Sequence, residues 1–252
     1  MTTSQVRDEA DAAGPEVLET APRPVDRRLL GALVVAALAG VLAVAGLAVW
    51  QRLQPPPDFT LEQLQGAYTG MVRSDGTNDV STIDPSRFPQ APLRISPEAC
   101  TPLFVSTVSN QFPPAALDGV STYWLGGATA SISLFTVRYA DADTAGAAFR
   151  AVTDASTGCA GQTVSFSGPE ESGRVQEVPV APPEGAPEQV AFALDRGPGQ
   201  GRYALHVLRL GNTITWQYRY DTGRGAYDPV PAQQLMNGVS AQLLSVRQAA
   251  AR

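Results

Sequence analysis

The longest uninterrupted apolar segment of the chain lies near its N-terminus, from Leu29 to Trp50. It contains 22 residues and no charged side chain, and a helix of that length extends about 33 Å, enough to span a bilayer. Arg27 and Arg28 precede it directly, whereas Arg52 is the one basic residue close behind it. The pattern predicts a transmembrane helix over residues 29–50 with the N-terminus in the cytoplasm, because positive charge accumulates on that side.

A cleaved signal peptide is the alternative interpretation of the same segment. Ala43-Val44-Ala45 resembles a cleavage site, but the polar stretch before the apolar run is longer than a usual signal-peptide start. We therefore expect an anchor, and removal after Ala45 stays an open alternative. Residues 1–28 are predicted to be a disordered cytoplasmic tail, and residues 51–59 a proline-rich linker.

Beyond the linker, helical periodicity predicts a helix at each end of residues 60–252 and two between them. Four signals mark the helix starts: Thr60 with Gln63, Ser96 with Pro97, Asp141 or Asp143, and Pro229 with Pro231. Gly158 marks the predicted end of the third helix. The second helix carries Cys100 in its first turn. The last has an apolar stripe formed by Leu235, Val239, Leu243 and Val246.

Alternation of apolar and polar residues predicts strands over residues 130–139, 161–168 and 189–196. Residues 174–188, rich in Pro, Glu and Gly, are predicted to be a loop with room for one short strand. The glycine-rich stretch at 197–201 is followed by no helix and no lysine, which favours a turn between strands over a phosphate loop. This order of elements predicts an α+β domain with a single antiparallel sheet and packed helices.

The clearest hairpin signal is Gly211-Asn212 inside YALHVLRLGNTITWQYRY, residues 203–220. Both residue types tolerate the positive φ of tight hairpin turns. The resulting register places His206 opposite Gln217. One face of the hairpin is strongly aromatic and is expected to pack against helices. The other carries His206 among polar neighbours.

Composition excludes several classes of chemistry. All 18 basic residues are arginine and there is one histidine, so a Walker-A lysine, a Schiff-base lysine and a multi-histidine zinc site are impossible. The net charge of −6 argues against nucleic acid as a partner. We expect no cofactor and no metal site.

The two cysteines, Cys100 and Cys159, both fall in the domain beyond the predicted membrane segment. That side is oxidising, so we expect them to form a disulfide. Closing a loop of roughly 60 residues stabilises a domain by about 4 kcal/mol in the chain-entropy model.

His206 is the residue on which any familiar catalytic scheme would depend. No GxSxG motif accompanies it, although a triad assembled by folding stays open. Contact with a ligand, shared with Gln217, Arg219 and Thr215, is a second interpretation. A structural or solvated role is the third, and we expect no catalytic residue.

Several of these segments together resemble the PknH-like extracellular sensor domains of mycobacteria and related actinobacteria. The segments are the anchor with its proline-rich spacer, SPEACTPL, VRYADADTAGAAFRAV, TGCAG and RLGNTITWQYRY with a helix after it. The resemblance implies an α+β sensor domain with a ligand cleft, in proteins that are receptor kinases or free-standing membrane proteins. Such domains commonly have two disulfides, whereas this chain can form one. In addition, the predicted cytoplasmic tail of 28 residues is too short to be a kinase domain.

The sequence thus favours a membrane-anchored, extracytoplasmic binding or sensor-like domain that recognises an envelope ligand or a membrane protein partner. One alternative is a structural interaction protein of the cell envelope, which predicts a broad exposed apolar patch. Another is a hydrolase that uses His206, which requires a serine hydroxyl within hydrogen-bond reach of the imidazole.

Overall fold

The computed structural model of the chain describes residues 58–71, 80–87, 94–104, 112–125, 130–166, 172–183, 188–197, 200–221 and 227–250. The predicted cytoplasmic tail, the predicted transmembrane segment at 29–50 and most of the predicted linker lie outside these ranges. Within them, no helix combines the length and the apolar character needed to cross a bilayer.

In the described ranges, nine strands form one sheet, and the predicted single antiparallel sheet is confirmed. They are β1 (Ser81–Ile83), β2 (Ile95–Ser96), β3 (Asp118–Leu125), β4 (Ala130–Arg138), β5 (Thr163–Phe166), β6 (Ser172–Glu177), β7 (Glu188–Asp195), β8 (Arg202–Leu210) and β9 (Thr213–Asp221). Their order across the sheet is β1-β3-β4-β9-β8-β7-β6-β5-β2. The helices are α1 (Leu61–Thr69), α2 (Ala142–Cys159) and α3 (Val230–Ala250). The fold class is α+β.

The predicted helix starts are largely confirmed. Thr60 and Gln63 form a capping box at the start of α1, and the Asp141 carboxylate caps α2 by accepting from the Thr144 amide. Gly158 does not end α2, since the helix continues to Cys159 and the left-handed residue is Gly161, with a φ of 78°. The predicted helix after Ser96 is a 3-10 helix, Glu98–Leu103, with Cys100 in its first turn.

Four strands escaped the sequence analysis or were only allowed by it. Strands β1 and β2, at the two edges of the sheet, are too short to show a recognisable alternation of apolar and polar residues. β3 begins with Asp118-Gly119 and follows Pro113-Pro114, and both pairs favour a turn over a strand. β6 occupies part of the predicted loop at 174–188 and pairs with both β5 and β7, because tertiary pairing outweighs weak local propensity.

The predicted stripe of α3 is shifted by about one position. Its buried residues are Ala232, Met236, Val239, Ser240, Leu243 and Arg247, while Leu235 and Val246 are half-buried. The helix therefore presents a face with two polar side chains to the sheet, which a count of apolar residues alone does not reveal.

Both faces of the sheet are covered by helices. The predicted aromatic face, which includes Trp216, Ile214 and Val207, forms a core with α2 and the 3-10 helix. The opposite face packs Leu134, Leu208 and its neighbours against α1 and α3. Consequently the face that carries His206 is also interior.

The hairpin between β8 and β9 has the predicted register, with Leu210 opposite Thr213 and His206 opposite Gln217. Gly211 has a φ of 59°. Asn212 does not adopt a positive φ; its role lies in its side chain. The Asn212 Oδ1 accepts from the Phe59 amide at 2.8 Å, and Nδ2 donates to the Phe59 and Tyr139 carbonyls at 3.2 and 3.1 Å. Asn212 thereby attaches the start of the domain to the hairpin and to the end of β4.

Cys100 and Cys159 form a disulfide with a Cα–Cα distance of 5.9 Å. It links the 3-10 helix to the last residue of α2, as the sequence predicts. Both sulfur-bearing side chains are buried in the core beneath α2.

Candidate functional site

The sheet brings the four polar residues singled out from the sequence onto one face, under α3 and the segment that precedes it. His206 and Gln217 are direct neighbours across β8 and β9. His206, Gln217 and Thr215 are each 1% exposed. Arg219 differs, because its side chain keeps 19% of its surface exposed while its Nη2 lies 3.4 Å from the Asp221 carboxylate.

His206 is held as a neutral imidazole. Its Nε2 lies 2.9 Å from the hydroxyl of Tyr227. Burial, and secondarily the positive charge of Arg219, lower the pKa of His206 to about 4, since both disfavour the charged form. Burial also raises the pKa of Tyr227 to about 12, so at neutral pH the pair is joined by an uncharged hydrogen bond.

The surroundings of His206 do not form a catalytic triad. A hydrolase needs a nucleophile at one imidazole nitrogen and a carboxylate at the other. Here Nε2 faces a phenol, and Nδ1 has no hydrogen-bond partner among the described residues. The hydrolase alternative thus lacks its required geometry in the part of the chain that the structure describes.

Thr215 belongs to a line of buried hydroxyls that crosses the sheet. Its Oγ1 lies 2.6 Å from the Thr136 Oγ1, which in turn lies 2.6 Å from the Tyr68 hydroxyl on α1. A hydroxyl can both donate and accept, so Thr136 bonds to both of its neighbours in this line. Thr215 therefore helps to dock α1 on the sheet.

Gln217 is the unexplained member of the set. Neither its Oε1 nor its Nε2 has a hydrogen-bond partner in the described residues, although the side chain is 1% exposed. An unpaired buried amide costs about 1–3 kcal/mol. Contact of a ligand with His206, Gln217, Arg219 and Thr215 stays a prediction.

The opposite face of the sheet contains a cavity of about 340 Å³ that is partly open to solvent and lined almost entirely by carbon atoms. That volume lies at the lower end of the roughly 300–1,000 Å³ range of small-molecule sites. Its floor includes Trp216 on β9 and Tyr139 at the end of β4. None of the described residues that line it carries a charged side chain.

Two polar groups of these floor residues are fully buried and do not contribute to the accessible lining of the cavity. Trp216 is 2% and Tyr139 0% exposed. The Trp216 Nε1 and the Tyr139 hydroxyl have no hydrogen-bond partner among the described residues. Burial holds the pKa of Tyr139 well above its usual value, so the phenol keeps its proton and can donate it.

Both floor residues are held in place by their neighbours. The indole of Trp216 stacks on the ring of Phe135, its partner on β4, with ring centroids 5.1 Å apart and planes 1° from parallel. The backbone of Tyr139 is fixed on both sides by Asn212, since its amide donates to the Asn212 carbonyl at 2.8 Å and its carbonyl accepts from Nδ2. The floor is therefore rigid.

The walls of the cavity come from three separate segments. One is a turn of α2 with small side chains, Ala147, Ala148 and Ala151. The second is the 3-10 helix, which the Cys100–Cys159 disulfide ties to α2. Ala115 belongs to the third, a turn in which the Ala116 amide donates to the Pro113 carbonyl at 3.2 Å. Its φ of 63° costs an alanine about 1 kcal/mol.

No protein-family model matches the chain, and no curated protein matches it. Among solved structures, the extracellular domain of PknH from Mycobacterium tuberculosis is similar with a TM-score of 0.52 and 15% identity, over 77% of this chain and 100% of that domain. An uncharacterized protein from Mycobacterium smegmatis (Rv0999 ortholog) is 16% identical with a TM-score of 0.40, over 75% of this chain and 99% of that one.

The chain shares the PknH extracellular-domain fold. The resemblance noted in the sequence is therefore confirmed for the fold. The likeness at this identity concerns backbone architecture, so the chemistry of the site depends on the residues described above.

Sequence reasoning placed Trp216 on the aromatic face of the hairpin, but it did not identify Trp216 or Tyr139 as part of a site. Alternation predicts which face a side chain occupies, and it is silent about cavities. One available signal was the cluster of alanines in TAGAAFRAV, because small side chains on a core-facing helix leave space that larger ones would fill.

Proposed function

We propose that this chain is a membrane-anchored, extracytoplasmic binding protein of the PknH-like sensor type, in which the apolar cavity above Trp216 and Tyr139 receives an envelope ligand. The observation that carries the proposal is the cavity itself. It has a volume of about 340 Å³, is partly open to solvent and is lined by apolar side chains from several segments of the domain. Sites of this composition are typical of small-molecule binding.

The anchoring part of the proposal depends on the sequence. Residues 29–50 are proposed to cross the bilayer once, with the N-terminus in the cytoplasm and residues 60–252 outside the membrane. The disulfide between Cys100 and Cys159 and the shared PknH extracellular-domain fold both support an extracytoplasmic domain. A membrane protein partner would then carry a signal to the cytoplasm.

A structural role in the envelope is less well supported. It predicts a broad apolar patch, whereas the large hydrophobic residues exposed in the described ranges are Leu117, Tyr123 and Val230. These lie before β3, on β3 and at the start of α3, and so belong to separate elements.

A second contact site on the opposite face, at His206, Gln217, Arg219 and Thr215, remains a proposal. The unpaired amide of Gln217 favours it. Arg219 is the most accessible member of the set, with 19% of its side-chain surface exposed.

The cavity is tested by filling it. Ala148 on α2 is half-buried and lines the cavity, so Ala148→Leu should occupy part of its volume. Ala241→Leu, at an exposed position of α3, is the matched control. The full chain and both variants are extracted in polymer-bounded native membrane discs, and small molecules that co-purify are identified by mass spectrometry.

We expect a compound to be enriched with the wild-type chain and the Ala241→Leu variant and to be depleted several-fold with Ala148→Leu. Equal enrichment in all three proteins would contradict binding in this cavity. So would repeated purification of the wild-type chain without any enriched compound.

A further inference from the structure

The lining of the cavity restricts the kind of molecule that it can hold, if the proposed binding function is correct. The Tyr139 hydroxyl and the Trp216 Nε1 are enclosed and do not reach its interior. The Thr144 hydroxyl hydrogen-bonds to Asp141, and Thr101 carries the remaining side-chain hydroxyl among the described lining residues. A polar group inside the cavity would therefore give up most of its hydrogen bonds with water, whereas a hydrocarbon gives up none.

The opening of the cavity leaves room for a polar group outside it. Pro113, Val152 and Trp216 are buried at its inner side, while Ala147 and Ala151 of α2 are exposed. The polar end of a bound molecule can therefore stay in water while its hydrocarbon part enters. A ligand with one polar end and one hydrocarbon end satisfies both parts of the site.

The volume of the cavity sets the size of the hydrocarbon part. A methylene group takes up close to the volume of one water molecule, roughly 30 Å³, so a cavity of about 340 Å³ holds a chain of about 11 carbons. That space is too small for two such chains. It is also too small for the ring system of a sterol together with its side chain.

The charged residues next to the cavity do not favour one type of head group. Within one turn of the lining alanines, α2 carries Asp143, Arg150 and Asp154, all of them exposed. An anionic head group would meet the arginine and a cationic one the aspartates, but pairs that stay in water contribute little to affinity. The hydrocarbon should therefore dominate binding.

We infer that the cavity binds the hydrocarbon chain of a single-chain amphiphile, with about 11 carbons enclosed and the head group outside in water. The site recognises the chain and not the head group. Amphiphiles with differently charged head groups are therefore accepted. Carbons beyond the length of the cavity add nothing to the affinity, because they remain in water.

A photoreactive decyl maltoside with a diazirine at the end of its chain reports occupancy. The full chain is reconstituted in lipid nanodiscs and irradiated with this probe, and the free aqueous probe is measured by dialysis, so that uptake by the lipid does not affect the comparison. Trypsin cleaves after Arg138 and Arg150, and the resulting peptide 139–150 carries four of the lining residues. Peptide 225–247, which contains most of α3, is the internal control.

Competitors from hexyl to tetradecyl maltoside, used below their micellar concentrations, measure the dependence on chain length. The free competitor concentration that halves the labelling of peptide 139–150 should fall about fourfold for each added methylene. It should stop falling at about 11 carbons. Alkyl sulfates and alkyltrimethylammonium salts should compete within about fivefold of the maltosides of equal chain length.

The chain-length limit is tested by filling the cavity. Ala148→Leu adds three carbons to the side chain, so the limit should move to about eight carbons. Ala151→Leu is a second filling variant, at an exposed position of the lining where leucine does not disturb the core. Ala241→Leu, exposed on α3, is the matched control and should leave the limit unchanged.

Three results would overturn the inference about the chain: a limit that moves in neither filling variant, competition that is independent of chain length, or a head-group difference above about tenfold. Labelling of the cavity would still support the proposed function in each case. Absence of labelling above the control peptide would also overturn the inference. The proposed function then fails as well if no compound that co-purifies with the wild-type chain is depleted by Ala148→Leu.

Discussion

Acidification should destabilise this protein through His206. The imidazole has an ordinary pKa of 6.5, and burial together with Arg219 lowers it to about 4 in the folded chain. Because the unfolded state then binds the proton more readily, the free energy of unfolding should be unaffected above about pH 6.5 and fall as the pH decreases. The loss should approach about 3 kcal/mol near pH 4, at 1.36 kcal/mol for each unit between the two pKa values.

The assay is urea unfolding of the full chain in a non-ionic detergent, followed by tryptophan fluorescence from neutral pH down to about pH 4. His206→Gln is the control, because glutamine can still hydrogen-bond to the Tyr227 hydroxyl and carries no charge at any pH. Carboxylates that become protonated as the pH falls act equally in both proteins and cancel in the difference.

The two proteins should therefore diverge steadily as the pH falls from about 6.5. Parallel curves over the whole range would refute the reasoning, as would a wild-type chain that gains stability relative to the variant. Either result would mean that His206 is hydrated or paired with an acidic group in the folded protein, in conflict with its 1% exposure.

Three further changes test the packing. Asn212→Ala removes three hydrogen bonds from a 1% exposed side chain and should cost about 2–4 kcal/mol of unfolding free energy, measured by the same urea assay; a loss below about 1 kcal/mol would contradict this role. Gly211→Ala places a Cβ on a residue with a φ of 59° and 3.0 Å from a guanidinium nitrogen of Arg247, so the midpoint of thermal unfolding should fall by several degrees. Gly158→Ala is the contrasting variant, because its Cβ would lie in a helix with no atom within 4 Å, and it should raise the midpoint. Replacing Cys100 and Cys159 together by serine should cost about 4 kcal/mol, and peptide mapping without reductant should recover them as one linked pair in the wild-type chain.

The hairpin shows how far sequence reasoning reaches. A two-residue turn fixes which residues are opposite one another, so His206 and Gln217 were paired correctly before any coordinates were considered. The same reasoning misjudged Asn212. Its buried side chain bonds to Phe59, 153 positions away in the sequence, and no local pattern contains that information.

The cavity shows the corresponding limit for a site. Alternation places Trp216, Phe135 and Tyr139 on one face of the sheet. Whether that face closes into a solid core or leaves room for a ligand depends on how α2 and the 3-10 helix meet above it. Small side chains such as Ala148 leave that room, and their effect exists only once the segments are packed together.

By itself, the amino-acid sequence determined the α+β class, the positions of the three α-helices and of several strands, the hairpin register and the pairing of the cysteines. It also determined which chemistries are impossible without lysine or a second histidine. These properties follow from local periodicity, turn chemistry and composition. The tertiary structure alone decided that His206 is an interior residue bonded to Tyr227, and that Trp216 and Tyr139 are unpaired donors beneath a cavity. Burial and hydrogen-bond satisfaction depend on every segment that packs around a group, and those segments come from distant parts of the chain.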